Sequence, residues 1–205
     1  MTIIFNKISI IGLGLIGTSI LHAIKVKQDK KIITFAYDIN PEHRSIVSEM
    51  NIATYVCGDI KEAIIESDLI ILAIPVGSMK AVADLIVPHL KPGALVTDTG
   101  STKLSVIRDV KPSIPSNNYF IPSHPLAGTE YSGPNSGFSS LFENRYWLIV
   151  SDKETKQTKE LASFFESLGS IVETVNVNYH DRILAITSHL PHLIAYTIVG
   201  TASDL

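Results

Sequence analysis

Ile8-Ser9-Ile10-Ile11-Gly12-Leu13-Gly14-Leu15-Ile16-Gly17-Thr18-Ser19-Ile20-Leu21 is the stretch that decides the fold. A short apolar run breaks into three spaced glycines and resumes at once as a helix-forming segment. That is the order of a strand, a tight turn and a helix, with the turn written G-x-G-x-x-G. Gly12 permits the sharp turn, Gly14 leaves the backbone open to a pyrophosphate, and Gly17 lets the helix pack closely on the strand. The first-turn amides of the helix then face negative charge, which the helix dipole favours. Gly12, Gly14, Leu15, Ile16 and Gly17 are therefore candidate contacts for a dinucleotide cofactor.

Outward from that turn, Ile32-Ile33-Thr34-Phe35-Ala36-Tyr37 reads as the next strand and ends in Asp38. An acid about 20 residues past the glycines is the expected partner of an adenosine ribose 2′-hydroxyl. Its charge repels a 2′-phosphate, which favours NAD over NADP. Arg44 is close enough in sequence to blur that preference, but no basic residue directly follows Asp38.

The 205 residues suffice for one domain and part of a second. Hydrophobic residues make up 45% of the chain, as expected where parallel strands are covered on both faces. A net charge of -3 and the lack of a basic block argue against nucleic acid. One cysteine, Cys57, excludes an internal disulfide and fits a reducing cytoplasm. The apolar N-terminus holds three turn glycines and reads as strand and helix, not as a signal peptide. The apolar stretch 183–199 contains His189, Pro191 and His192, which suits a buried helix better than a membrane span.

The remaining elements alternate. Helices are expected from Pro41 to about Met50, Ile60 to Glu66, Met79 to Leu90, Thr102 to Val110 and Lys156 to Leu168. Strands are expected at 68–74, 94–97, 119–121, 146–150 and 171–174. This alternation implies an α/β fold with a parallel, doubly wound sheet. Ligands of such sheets lie beyond the carboxyl ends of the strands. Ile74, Pro75, Asp98 and Ser101 join the glycine turn and Asp38 at that edge, and the segment after Ile121 leads into it.

That segment reads Pro122-Ser123-His124-Pro125-Leu126-Ala127-Gly128-Thr129-Glu130, a loop leaving a strand. Downstream lie His180-Asp181-Arg182 and Ser188-His189-Leu190-Pro191-His192. His189 and His192 share a helix face, and Pro191 should disturb that helix near Thr187. These histidines are equally compatible with helix packing. A metal site is not expected, because no Cys, Glu or Asp completes a first shell with them. Lys103 reads as a first-turn residue that caps the helix or meets solvent.

Taken together, G-L-G-L-I-G-T-S, the strand-end Asp38, L-A-I-P, D-T-G-S-T-K, S-H-P-L-A-G-T-E and H-D-R followed by S-H-L-P-H resemble the prephenate and arogenate (cyclohexadienyl) dehydrogenase family. The resemblance implies a Rossmann NAD-binding domain over residues 1–175 and, over 176–205, the first helix of an all-α dimerisation domain. It implies NAD-dependent oxidation of a cyclohexadienol with loss of carbon dioxide, in a cytoplasmic homodimer of tyrosine biosynthesis. By position, His124 matches the catalytic histidine and Ser101 the serine beside it. His192 matches a substrate-binding histidine, Thr129 and Glu130 match entrance residues, and His180 and His189 match further histidines of the pocket.

In the family the helical domain also supplies an arginine for the ring carboxylate, and this chain ends at Leu205 without a counterpart. The chain is therefore expected to be a fragment or a naturally short protein. Competing readings are a hydroxyacid or imino-acid dehydrogenase with a similar layout, and a nucleotide-binding module without catalysis.

Overall fold

A computed structural model describes residues 5–27 and 32–203; Leu205 lies outside the described residues. Strand β1 (Lys7–Ile11) runs into the glycine turn and helix α1 (Leu15–Lys27). Then come β2 (Ile33–Tyr37), α2 (Pro41–Met50), β3 (Tyr55–Val56), α3 (Ile60–Ile64) and β4 (Leu69–Leu72). Helix α4 (Met79–Ile86), β5 (Leu95–Asp98), α5 (Leu104–Val110) and β6 (Tyr119–Ile121) complete a six-stranded sheet. Its order is β3-β2-β1-β4-β5-β6, and every pairing is parallel. This is the doubly wound order whose switch point lies between β1 and β4. Strand β4 is buried along its whole length, as its unbroken Leu69-Ile70-Ile71-Leu72 run requires.

Punctuation follows local chemistry. Asn40 caps α2 by accepting from the Glu42 amide at 2.9 Å, with Pro41 as the first helical residue. Asn51 closes the same helix in the left-handed conformation. At Gly12 the backbone has φ +99°, and a Cβ there would lie 2.3 Å from the Ala73 carbonyl oxygen. At Gly17 a Cβ would meet the Gly12 carbonyl oxygen at 1.9 Å, so α1 seats directly on the turn.

One expectation needs correction. The strands β8 (Tyr146–Val150) and β9 (Ile171–Val175) do not extend the main sheet. They pair in parallel with each other, and β8 pairs antiparallel with β7 (Ser123–Pro125) to form a separate three-stranded sheet. His124 therefore sits on a strand, not in a loop. The physical cause lies at Pro122, which has no N–H to extend the ladder on β5. Its carbonyl instead accepts from Val150 at 2.9 Å, in the second sheet. Helix α6 (Lys156–Ser167) packs on this sheet through Phe165, whose ring stacks on Trp147 at 3.8 Å.

The two sheets are tied by a buried polar knot. The Ser123 hydroxyl donates to the Asp98 carbonyl at 2.7 Å. It accepts from Thr97 Oγ1 and from Trp147 Nε1, both at 3.0 Å. One donor and two lone pairs are thus all used. Beside it, the Lys103 ammonium pairs with the Asp98 carboxylate and donates to the Ser123 carbonyl at 2.7 Å. Both side chains of that ion pair are fully buried. Lys103 does stand at the start of α5, but its side chain points into the core and not to solvent. Its stem fills the interior while its ammonium donates to two buried acceptors, which a capping or solvated lysine would not need.

The chain ends in α7 (Val177–Leu184), a π-helical turn at Ala185–His189 and α8 (Leu190–Ser203). The wide turn falls where Pro191 was expected to disturb the helix, because the proline ring crowds the Thr187 carbonyl. The expectation of a buried helix fails here: residues 190–202 are exposed.

Breaking the buried ion pair should be costly. Lys103→Met strands the Asp98 carboxylate and is expected to lower unfolding stability by about 3–5 kcal/mol. The double variant Asp98→Asn/Lys103→Met should lose less than Lys103→Met alone. Denaturant melts of both check this, and a double variant no better than the single one contradicts it.

Candidate active site

The cofactor half of the site is built from strand exits. Leu13 donates its amide to Asp38 Oδ2 at 2.7 Å, and Asn40 donates to Oδ1 at 2.8 Å. Asp38 is thereby fixed against the glycine turn, 25 residues away in sequence. His43 Nδ1 lies 3.3 Å from the same carboxylate. Arg44 is spent elsewhere: it donates to the Asp38 carbonyl at 2.6 Å and lies over the Tyr37 ring. A Cβ placed on Gly14 would meet nothing within 4 Å. The two outer glycines are packed tight while the middle one borders open space, which is the relief a pyrophosphate needs. The first-turn amides of α1 lack helical partners, so the residues present fit a dinucleotide. Ile74 is half-buried and Pro75 exposed at the exit of β4.

Asp98 does not belong to that set. It is wholly buried, and its carboxylate is engaged by Gly100, Ser123 and Lys103. Burial pushes its carboxyl up and the Lys103 ammonium down, and each partner opposes the other's shift. Its place is in the knot between the sheets, away from solvent.

The chemical half gathers around His124. Its Nδ1 lies 3.1 Å from His180 Nε2, with the rings edge to face. His180 Nδ1 lies 2.7 Å from Asp181 Oδ1. Asp181 in turn accepts from the amides of Lys103 at 2.7 Å and Leu104 at 2.9 Å. Burial first, then the electrostatic influence of Lys103, His180 and His189, pushes the His124 imidazole down to about 3, against the pull of Asp181. Burial also lowers His180, against the pull of Asp181. Both rings are neutral near neutral pH.

Of the other expected residues, the structure brings His180 and half-buried His189 near His124. Ser101 is exposed and makes no hydrogen bond to His124; His180 makes that contact instead. Thr129 and Glu130 are exposed on the segment after β7, where the Thr129 hydroxyl accepts from the Tyr131 amide at 3.2 Å. His192 is exposed on α8. The sequence reading missed Lys103 and Asp181. Asp181 had a signal, an acid adjoining a histidine. Lys103 had a fainter one, a lysine five residues after a strand-end acid.

Comparison with known proteins agrees with this layout. Residues 22–174 match the family described as prephenate dehydrogenase, nucleotide-binding domain. Residues 176–205 match prephenate dehydrogenase, dimerization domain. The chain is 39% identical over 202 residues to a cyclohexadienyl dehydrogenase of Zymomonas mobilis, covering 98% of this chain and 68% of that one. It is 32% identical to a prephenate dehydrogenase of Lactococcus lactis, over 97% of this chain and 54% of that one. In three dimensions it resembles the prephenate dehydrogenase of Aquifex aeolicus in complex with hydroxyphenyl propionate and NAD+. That match has a TM-score of 0.87 at 27% identity and covers 97% of this chain and 70% of the other. By length and composition alone the helical run Val177–Ala202 could cross a membrane. Its first part, however, is bonded into the nucleotide-binding half through His180 and Asp181, and the whole falls within the matched dimerization domain. The six-stranded parallel sheet, the glycine turn closed by Asp38 and these matches along the chain place it in the prephenate dehydrogenase family.

Proposed function

We propose that the protein carries out the NAD-dependent oxidative decarboxylation of prephenate, of arogenate, or of both, yielding 4-hydroxyphenylpyruvate or tyrosine. The observation that carries this reading is His124: a neutral, largely buried imidazole, on the strand that follows the carboxyl end of the main sheet. Residues 1–175 serve as the NAD-binding domain and 176–205 as the start of the helical one. The protein works in the cytoplasm, in keeping with its one buried, free cysteine.

The glycine turn and Asp38 hold the dinucleotide, which when bound supplies the acceptor for hydride. His124 takes the proton from the ring hydroxyl as that carbon is oxidised to a carbonyl. The bond from the ring to its carboxylate then breaks, releasing carbon dioxide and leaving its electron pair in the ring. Aromatisation drives this step without a metal. A pKa near 3 makes the free imidazole a weak base. The substrate is an anion, and its charge offsets that of Lys103 and raises the imidazole toward a useful value. Ser101, His189, His192, Thr129 and Glu130 line the approach in this reading.

The exposed residues of α8 form a dimer contact with a second copy. Leu193, Tyr196, Ile198 and Val199 are each more than 60% exposed, an apolar surface larger than soluble monomers usually show.

Three outcomes check this reading. Asp38→Ala is expected to weaken NAD binding and narrow the gap between NAD and NADP; titration of both nucleotides measures it, and a wild type that prefers NADP contradicts it. In the full-length protein, His124→Asn should keep NAD binding and lose about 10²- to 10⁴-fold in kcat; a loss below about tenfold removes His124 from the mechanism. Light scattering should find the 205-residue chain associated, and a chain cut after Asn178 closer to a monomer that still binds NAD. A cleanly monomeric uncut chain would rule out the α8 contact.

A further inference from the structure

The protons around His124 can be counted from one end. Asp181 faces three donors: the amides of Lys103 and Leu104 and Nδ1 of His180. Burial opposes its ionisation, but the Leu104 amide, His180 and the Lys103 amide together hold its carboxyl below the usual range. An ionised carboxylate only accepts, so the proton between Asp181 and His180 resides on His180 Nδ1. A neutral imidazole protonated at Nδ1 carries a lone pair at Nε2. That lone pair faces His124 Nδ1 at 3.1 Å. Two lone pairs cannot face each other at this distance, so His124 Nδ1 is the donor. Its remaining nitrogen, Nε2, is left without a proton.

We infer that Asp181 and His180 are positioning residues which lock His124 as the Nδ1–H tautomer and so leave Nε2 as the atom that accepts a proton. This assigns His180 a place behind the base and not on the substrate. It gives Asp181, which the family reading left without a role, the part of anchor. The anchor is itself held by backbone amides at the start of α5, immediately after the strand exit that carries Gly100 and Ser101. Both relay residues lie in the segment matched to the dimerization domain. The tautomer of a base on the nucleotide-binding half is therefore set from the other half. The use of Nε2 in turnover rests on the function proposed above; the tautomer itself rests only on the distances.

Imidazole ¹⁵N NMR on the full chain near neutral pH reads the tautomer directly and needs no substrate. His124 is expected to show a protonated Nδ1 and a bare Nε2. In Asp181→Ala, His180 loses its acceptor and the His124 signals should move toward the opposite tautomer or an average. A wild-type His124 protonated at Nε2 overturns the relay whatever the substrate proves to be. Turnover adds a second reading. His180→Leu removes the acceptor for His124 Nδ1 and should lower kcat by about 10²- to 10⁴-fold with little change in KM, the range of a misdirected general base. His180→Gln can place an amide oxygen where Nε2 stood and should recover most of that loss. Equal losses in the two variants would leave His180 a packing role only and overturn the inference. Wild-type chain without turnover on prephenate or arogenate would count against the proposed reaction, while the NMR result would still decide the relay.

Discussion

The pairing of Asp98 with Lys103, capped by the Ser123 hydroxyl, is the constraint on which the rest of the arrangement depends. A parallel sheet of this kind normally continues outward strand by strand. Here it stops at β6, and the next residues are drawn under β5 by a set of hydrogen bonds that leaves Ser123 with no unused valence. The small sheet is built on that turn, and His124, the next residue, inherits its position from it. Burial of a charge pair is expensive, and such pairs seldom add net stability over apolar residues of the same volume. What this pair contributes is direction. An apolar substitute could fill the space but could not specify which way the chain leaves β6.

The same region shows how function and fold share residues. Asp98 looked like a cofactor contact because it ends a strand at the carboxyl edge, where ligands of doubly wound sheets bind. The lysine five residues on turns it inward. Lys103 then acts twice. Its ammonium holds the knot, and its backbone amide holds Asp181. One residue thus links the connection between the sheets to the relay behind His124.

Much of this was legible in the sequence. The glycine turn, the helices and the long parallel strands of the main sheet follow from apolar runs, caps and breakers, because those signals act within a few residues of where they are read. Asp38 was legible because its spacing from Gly12–Gly17 is imposed by one βαβ unit. His124 was found only through resemblance, since a single histidine near a proline has no local signature. The second sheet was not legible. Its three strands look like any others, and what separates them from the main sheet is the pairing of Ser123 with Trp147 and Asp98, 24 and 25 residues away. The exposure of α8 escaped the expectation of burial because periodicity reports an apolar surface without reporting what covers it.

The distances along the chain separate two kinds of closure. The contact that closes the nucleotide turn, Leu13 to Asp38, spans 25 residues. The contacts that orient His124 span 56, from His124 to His180, and 77 and 78, from Asp181 back to Leu104 and Lys103. Loop-closure entropy grows only slowly with length, so these longer closures cost only a little more than the one at the nucleotide turn. The difference lies in what each closure needs: the turn is set within a single βαβ unit, whereas the orientation of His124 requires the start of α5 and the start of α7 to be in place together.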